Sequence, residues 1–231
     1  MTPKLFHPAD LPAPELLRRR HLAYLVLDES VGGCSSDLRM FGTGRSSADE
    51  VLLWYENGSG DDYGLVVLEK EALLWVFDHE CPFSPWVLYD SGVTDWPGML
   101  DGLPEHLAAH LPHPIGPGEP RSVSGCYWYT DGAWSMGDPE LPDEGLPEWY
   151  PPGMDPQGAD LLVPLLVGDG TEAARFAEEY YERPELADAA RNLVELVEAE
   201  RPLTREALDA MSPQDGAEVM LSRARALGLA T

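Results

Sequence analysis

The chain has 231 residues, 44% of them apolar and 24% charged, which is enough apolar side chain to bury a core and too much for wholesale disorder. Its formal net charge is −26, and the segment 51–170 carries −19 of that with Lys70 and Arg121 as its only cations. A field of that sign repels nucleic acid and anionic membrane and attracts a basic partner; the longest apolar runs, such as ALLWVF at 72–77, are far too short to span a bilayer.

From the N-terminus, PAPELLRRRHLA (12–23) predicts a short helix with Pro14 in its first turn, and AYLVLDE (23–29) a strand. VGGCSSD (31–37) reads as a turn, LRMFG (38–42) as a short strand and TGRSSADE (43–50) as a Gly/Ser loop. Three strands follow: VLLWYE (51–56), YGLVVLE (63–69) and ALLWVFD (72–78). The turn cluster NGSGDD (57–62) joins the first two, and Lys70–Glu71 joins the next pair. Connections this short make an antiparallel meander. ALLWVF does not alternate, so it is expected to be the central strand, covered on both faces.

LDGLPEHLAAHL (100–111) offers a short helix, SVSGCYWY (122–129) a strand, and TDGAW (130–134) a turn into a partner strand. GDPELPDEGLPEWYPPGMDPQGAD (137–160) is acidic, Pro-rich and aperiodic, and reads as an extended surface loop. From 160 onward DLLVPLLV, TEAARFAEEYYE, PELADAARNLVELVEAE, TREALDAM and SPQDGAEVMLSRARALGL are helical, with Thr171, Thr204 and Ser212 as N-caps. The expectation is one α+β domain over 1–231. Residues 1–136 are sheet-rich, 137–160 form the acidic loop, and 160–231 form a helical region packed on the sheet.

No export signal is read in residues 1–20, and Cys34, Cys81 and Cys126 leave one thiol over in any disulfide scheme. The expectation is a cytoplasmic protein with reduced cysteines. Without CxxC spacing, GxxxxGK[ST], GxGxxG or GxSxG, neither structural zinc nor a phosphate cradle is predicted, and no cofactor is expected.

The candidate chemistry lies in Trp75–Trp86, WVFDHECPFSPW. In an extended chain Asp78 and Glu80 share one face and His79 and Cys81 the other, so the three adjacent polar residues cannot form a Ser-His-Asp type relay. Asp78 with Glu80 could serve acid/base chemistry or hold a cation, and His79 with Cys81 could form a dyad. The simpler reading is a strand reaching solvent, stopped by Pro82 and covered by Phe83 and Trp86. His106 and His110, four apart, suit a shared metal on a helix, although HExxH is absent and Pro112 cuts off His113. Asn57, Ser59 and Asp61 alternate as in part of a calcium loop, but Asp62 stands where its glycine belongs, so a solvated turn is favoured. Among the tryptophans, Trp86, Trp96 and Trp149 lie in Pro-rich loops beside acids and could anchor a partner.

The stretches NGSGDDYGLVVL and WVFDHE, within 55–80, resemble the diagnostic segment of the SUKH superfamily of bacterial immunity proteins. There a Gly/Asn/Asp turn leads into a strand, and a hairpin partner ends in an aromatic–Asp–His–Glu-like motif. The resemblance implies a non-catalytic α+β module that binds and blocks a protein toxin.

The leading expectation is therefore an acidic protein-binding module for a basic partner, with Asp61, Asp62, Asp78, Glu80, Trp86, Trp96 and Trp149 on its binding face. One alternative is a small hydrolase or metal-dependent enzyme using Asp78, His79, Glu80 and Cys81. Another is a housekeeping protein whose acidity is compositional, in keeping with its two lysines among 15 cations.

Overall fold

The computed structural model describes residues 6–31, 40–47, 50–114, 116, 119–141, 146–151, 153–166, 168–211 and 216–231. It is an α+β protein built on a six-stranded meander in which every strand neighbours the next in sequence: β1 (Phe41–Ser47), β2 (Glu50–Glu56), β3 (Asp62–Val67), β4 (Ala72–Phe77), β5 (Gly125–Thr130) and β6 (Ala133–Met136). The chain divides into two compact units, one of residues 1–14 with 43–162 and the other of residues 15–42 with 163–231. Among the described residues no helix is long and apolar enough to cross a membrane.

In the sheet unit β4 is an interior strand, and its residues are buried on both faces except for the half-buried Trp75. On one face Val66, Leu73, Cys126 and Trp128 meet Phe83, Trp96 and Leu107 from the long β4–β5 connection. On the other, Tyr63, Leu65, Leu74, Val76 and Tyr127 are buried, and the 3₁₀ turn Ala159–Leu162 packs on β3 and β4. Two covered faces explain why this strand reads as an unbroken apolar run. Gly64 is required by the close packing: a Cβ there would lie 2.4 Å from the Trp75 indole.

The tight turn between β3 and β4 is Glu69–Lys70 rather than Lys70–Glu71, closed by Leu68 N–H on the Glu71 carbonyl (2.9 Å). The register that follows pairs Asp62 with Phe77 and Glu56 with Asp62. The short helix expected in 100–111 is α2 (Glu105–Ala108).

The helical unit contains α1 (Pro14–Val31), α3 (Val163–Leu166), α4 (Thr171–Arg175) running into a π turn (Phe176–Tyr180), α5 (Ala187–Glu198), α6 (Arg205–Met211) and α7 (Gly216–Ala226). Two expectations for the N-terminal segment are overturned. Residues 23–29 are not a strand but the second half of α1. Leu22 through Leu27 are at most 1% exposed, and a helix buried all round loses the polar stripe that gives its period away. The Gly/Ser run 43–50 is not all loop, because β1 extends to Ser47; sheet pairing overrides its poor strand propensity. Most of the turn predicted at 31–37, Leu38 and Arg39 in the strand predicted at 38–42 and the Ser212 cap fall outside the described residues.

Several buried polar groups of α1 are matched within this unit. Arg20 makes a two-pronged pair with Glu198 and also donates to the Leu165 and Leu166 carbonyls. Asp28 accepts the Met40 and Phe41 N–H groups (2.9 Å each). Burial pushes His21 down to about 4, so it is neutral, with Nε2 2.9 Å from the Gly42 carbonyl.

Candidate functional site

β4 ends at Phe77, and the chain turns at once: Cys81 N–H bonds the Asp78 carbonyl (3.3 Å) and Ser84 N–H the Cys81 carbonyl (3.0 Å). The alternation expected for Asp78 to Cys81 therefore does not apply, because these residues are in a turn and not a strand. Phe83 is buried and stacks on Trp96, with ring centroids 4.9 Å apart, within the core cluster on one face of the sheet.

Opposite this turn stands the β2–β3 turn. Asn57 shapes it through its side-chain oxygen, which accepts N–H from Ser59 (2.8 Å) and Asp61 (3.2 Å). Asn57 Nδ2 also donates to Asp61 Oδ2 (2.7 Å). The other Asp61 oxygen lies 2.6 Å from His79 Nδ1 and accepts the His79 backbone N–H (3.1 Å). The histidine's close partner is thus an aspartate eighteen residues away in sequence, across the hairpin, while its Nε2 lies 3.9 Å from a neighbouring Glu80 oxygen.

Asp78 is set from behind. Its N–H donates to Ser124 Oγ (3.1 Å), whose hydroxyl donates to the Gln157 carbonyl (2.6 Å). Its Oδ1 accepts the Glu80 N–H (2.9 Å). Gly158 permits this approach twice over, with φ of +77° and a virtual Cβ only 2.3 Å from Asp78 Cβ. Part of the stretch expected to be a surface loop is accordingly interior. Gln157 is fully buried, Asp155 accepts N–H from Gln157 (2.7 Å) and from Phe6, and Tyr150 donates its hydroxyl to the Asp155 carbonyl (2.6 Å). Sequence reasoning missed Ser124, Tyr150, Asp155 and Gln157, which carry no periodic or motif signal.

The electrostatics of the edge follow from crowded carboxylates. Burial, then Glu56 and Asp61, push Asp62 up to about 7, and its Oδ1 is buried without a hydrogen bond. Burial also raises Asp78. Asp61 is raised by burial, but the hydrogen bonds from His79 and Asn57 outweigh this and hold it below the usual carboxylate range. His79 is raised by its bond to Asp61. Burial pushes the Cys81 thiol up to about 12, and the residue is only 1% exposed, so it is a packed core thiol.

No protein-family model, curated protein or solved structure matches this chain. The site is therefore read from its own geometry.

Of the residues singled out in the sequence, Asp61, Asp62, Asp78, His79 and Glu80 come together. Among the described residues Asp61, Asp78 and His79 are the one triad of metal-capable groups with a ligand atom each within 4.8 Å of the other two. His106 and His110 turn to different carboxylates, Glu71 (2.9 Å) and Glu50 (3.1 Å). The helix that was to align them stops at Ala108. Trp96 is buried and donates to the Glu140 carbonyl (2.9 Å), while Trp86 is half-buried and Trp149 is 66% exposed. Trp149 adjoins Tyr150, whose hydroxyl is close enough to Asp78 and Asp155 to feel their charge.

Proposed function

We propose that the protein is a non-catalytic, acidic protein-binding module that docks a basic partner on the β2–β3–β4 end of its sheet. One observation carries this reading. Glu56, Asp61, Asp62, Asp78 and Glu80 share that edge, and among the described residues none of them pairs with a lysine or arginine. Such a face would raise association rate and specificity, and the exposed Trp149, next to Tyr150, would supply an apolar anchor that slows dissociation. The SUKH-like segment 55–80 falls on this edge and supports an immunity-type role, the inhibition of a protein toxin. A thiol mechanism at Cys81 finds no support in a buried, unactivated sulfur.

The test is capture from a lysate of the source cell at low salt, elution with salt, and titration of the purified partner. Neutralising Glu56, Asp62 and Glu80 together (Glu→Gln, Asp→Asn) should weaken binding by about tenfold or more. The same three-charge change at Glu178, Glu195 and Glu206 in the helical unit should leave it within about twofold. Equal losses from both triple variants, or none from either, would refute the proposal.

A further inference from the structure

We propose that Asp61, Asp78 and His79 form a binding site for a first-row divalent transition-metal cation, with zinc as the probe of choice. Asp61 closes the β2–β3 turn, while Asp78 and His79 are the first two residues beyond β4. The pairing of Asp62 with Phe77 sets these two turns side by side, so two distant pieces of sequence offer three donors to one point.

The donor types select the ion. An imidazole nitrogen with two carboxylate oxygens suits zinc, manganese or cobalt, whereas calcium and magnesium take all-oxygen shells. Metal–ligand bonds of about 2.0–2.2 Å place donors about 3–3.6 Å apart around a cation, so the trio closes on it by side-chain shifts of about an ångström. Asp61 and His79 already touch at 2.6 Å. The contact is bridged by a proton, and a cation would take that proton's place.

An ion pair between Asp61 and His79 accounts for two members of the trio only. It leaves Asp78, whose Oδ1 accepts the Glu80 N–H, close to Asp61, with one imidazole to the two carboxylates and no arginine or lysine paired to either among the described residues. A dication answers both charges at once. The scaffold holds the donors in place: Ser124 fixes the Asp78 backbone and Asn57 fixes the second oxygen of Asp61. Three protein ligands leave the remaining coordination positions to water, as in an open site rather than a sealed structural one. The inference stands apart from partner binding, because it is tested with the metal alone.

The experiment is calorimetric titration of the full-length protein with zinc chloride, repeated with an excess of magnesium and calcium present. The second measurement is the imidazole nitrogen NMR signals of His79. One zinc per chain is expected, with the His79 ring signals shifting on binding and magnesium and calcium failing to compete. Asp78→Asn, which spares the Asp61–His79 contact, and His79→Gln should each weaken binding by about tenfold or more, at least as much as losing an outer-shell partner does. His106→Gln, which lies on the Glu71 pair, should bind like the wild type. Circular dichroism checks that each variant folds. The site is disproved if zinc does not bind, if magnesium displaces it, if the His79 signals stay put, or if Asp78→Asn binds as tightly as wild type.

Discussion

The two units of this chain carry their charge in opposite ways. By sequence the sheet unit has 23 acidic residues against four cations, a charge of −19, and the helical unit 18 against 11, a charge of −7. In the helical unit most of the described arginines are matched, among them Arg20 with Glu198, Arg223 with Glu29, Arg175 with Glu172 and Glu179, and Arg205 with Asp209 and Glu218. Among the described residues of the sheet unit, Arg121 with Asp95 is the one pair of this kind, and the remaining pairs are with histidines. Among the described residues five of the sheet unit's carboxylates, Glu56, Asp61, Asp62, Asp78 and Glu80, lie at one sheet end with no lysine or arginine paired to them. The contrast separates charge that serves the fold from charge available to something outside it.

That contrast can be broken most sharply in the helical unit. Glu198→Ala strands the Arg20 guanidinium, whose side chain is 8% exposed, and should cost about 3–5 kcal/mol in chemical denaturation. If the cost is under about 1 kcal/mol, the matched charges are not structural. Next in size is Gly158→Ala at the sheet edge. Its positive φ and the Asp78 Cβ both resist a side chain, so a loss of about 1–3 kcal/mol is expected, with an unchanged midpoint arguing that the 155–160 segment is free of Asp78.

A smaller effect should appear as pH dependence. Asp62 titrates near about 7 when folded, above the 3.8 of an ordinary aspartate, so the native state holds a proton that the unfolded state gives up. Its contribution is therefore unfavourable at high pH. Stability falls as pH rises from about 4 through about 7, and Asp155, near about 6 through burial, acts in the same direction. Asp62→Asn should raise the thermal midpoint at pH 8 and lose that advantage by pH 4; an equal gain at both would show that the carboxyl is not strained by its charge. Smallest of all, Glu179→Gln, which loosens an exposed pair with Arg175 (3.1 Å), should shift stability by less than about 0.5 kcal/mol.

The meander was legible because strand-like runs separated by short polar turns leave few other pairings. The second half of α1 was not, since burial on every side erased the only periodic signal that tells a helix from a buried strand. Nor was β1, whose glycines and serines pair only because a sheet edge is there to receive them. At the site, Asp61, Asp78 and His79 were each conspicuous in sequence, but their meeting depended on a turn placed one residue away from where it reads. Counting outward from Glu69–Lys70 sets Asp61 opposite Asp78, whereas counting from Lys70–Glu71 sets it opposite Glu80. The support from Ser124, Gln157 and Asp155 is long-range and aperiodic, and no local rule gives it.

The most direct test of the partner-binding reading is the association rate constant of the full-length protein with its captured basic partner, measured by stopped flow across a salt series. The account predicts that neutralising Glu56, Asp62 and Glu80 flattens the salt dependence and slows association severalfold, while the matched change at Glu178, Glu195 and Glu206 leaves both nearly as in wild type. Parallel salt slopes for the two variants would contradict it, because the sheet-end carboxylates would then act only through the net charge they share with the rest of the molecule.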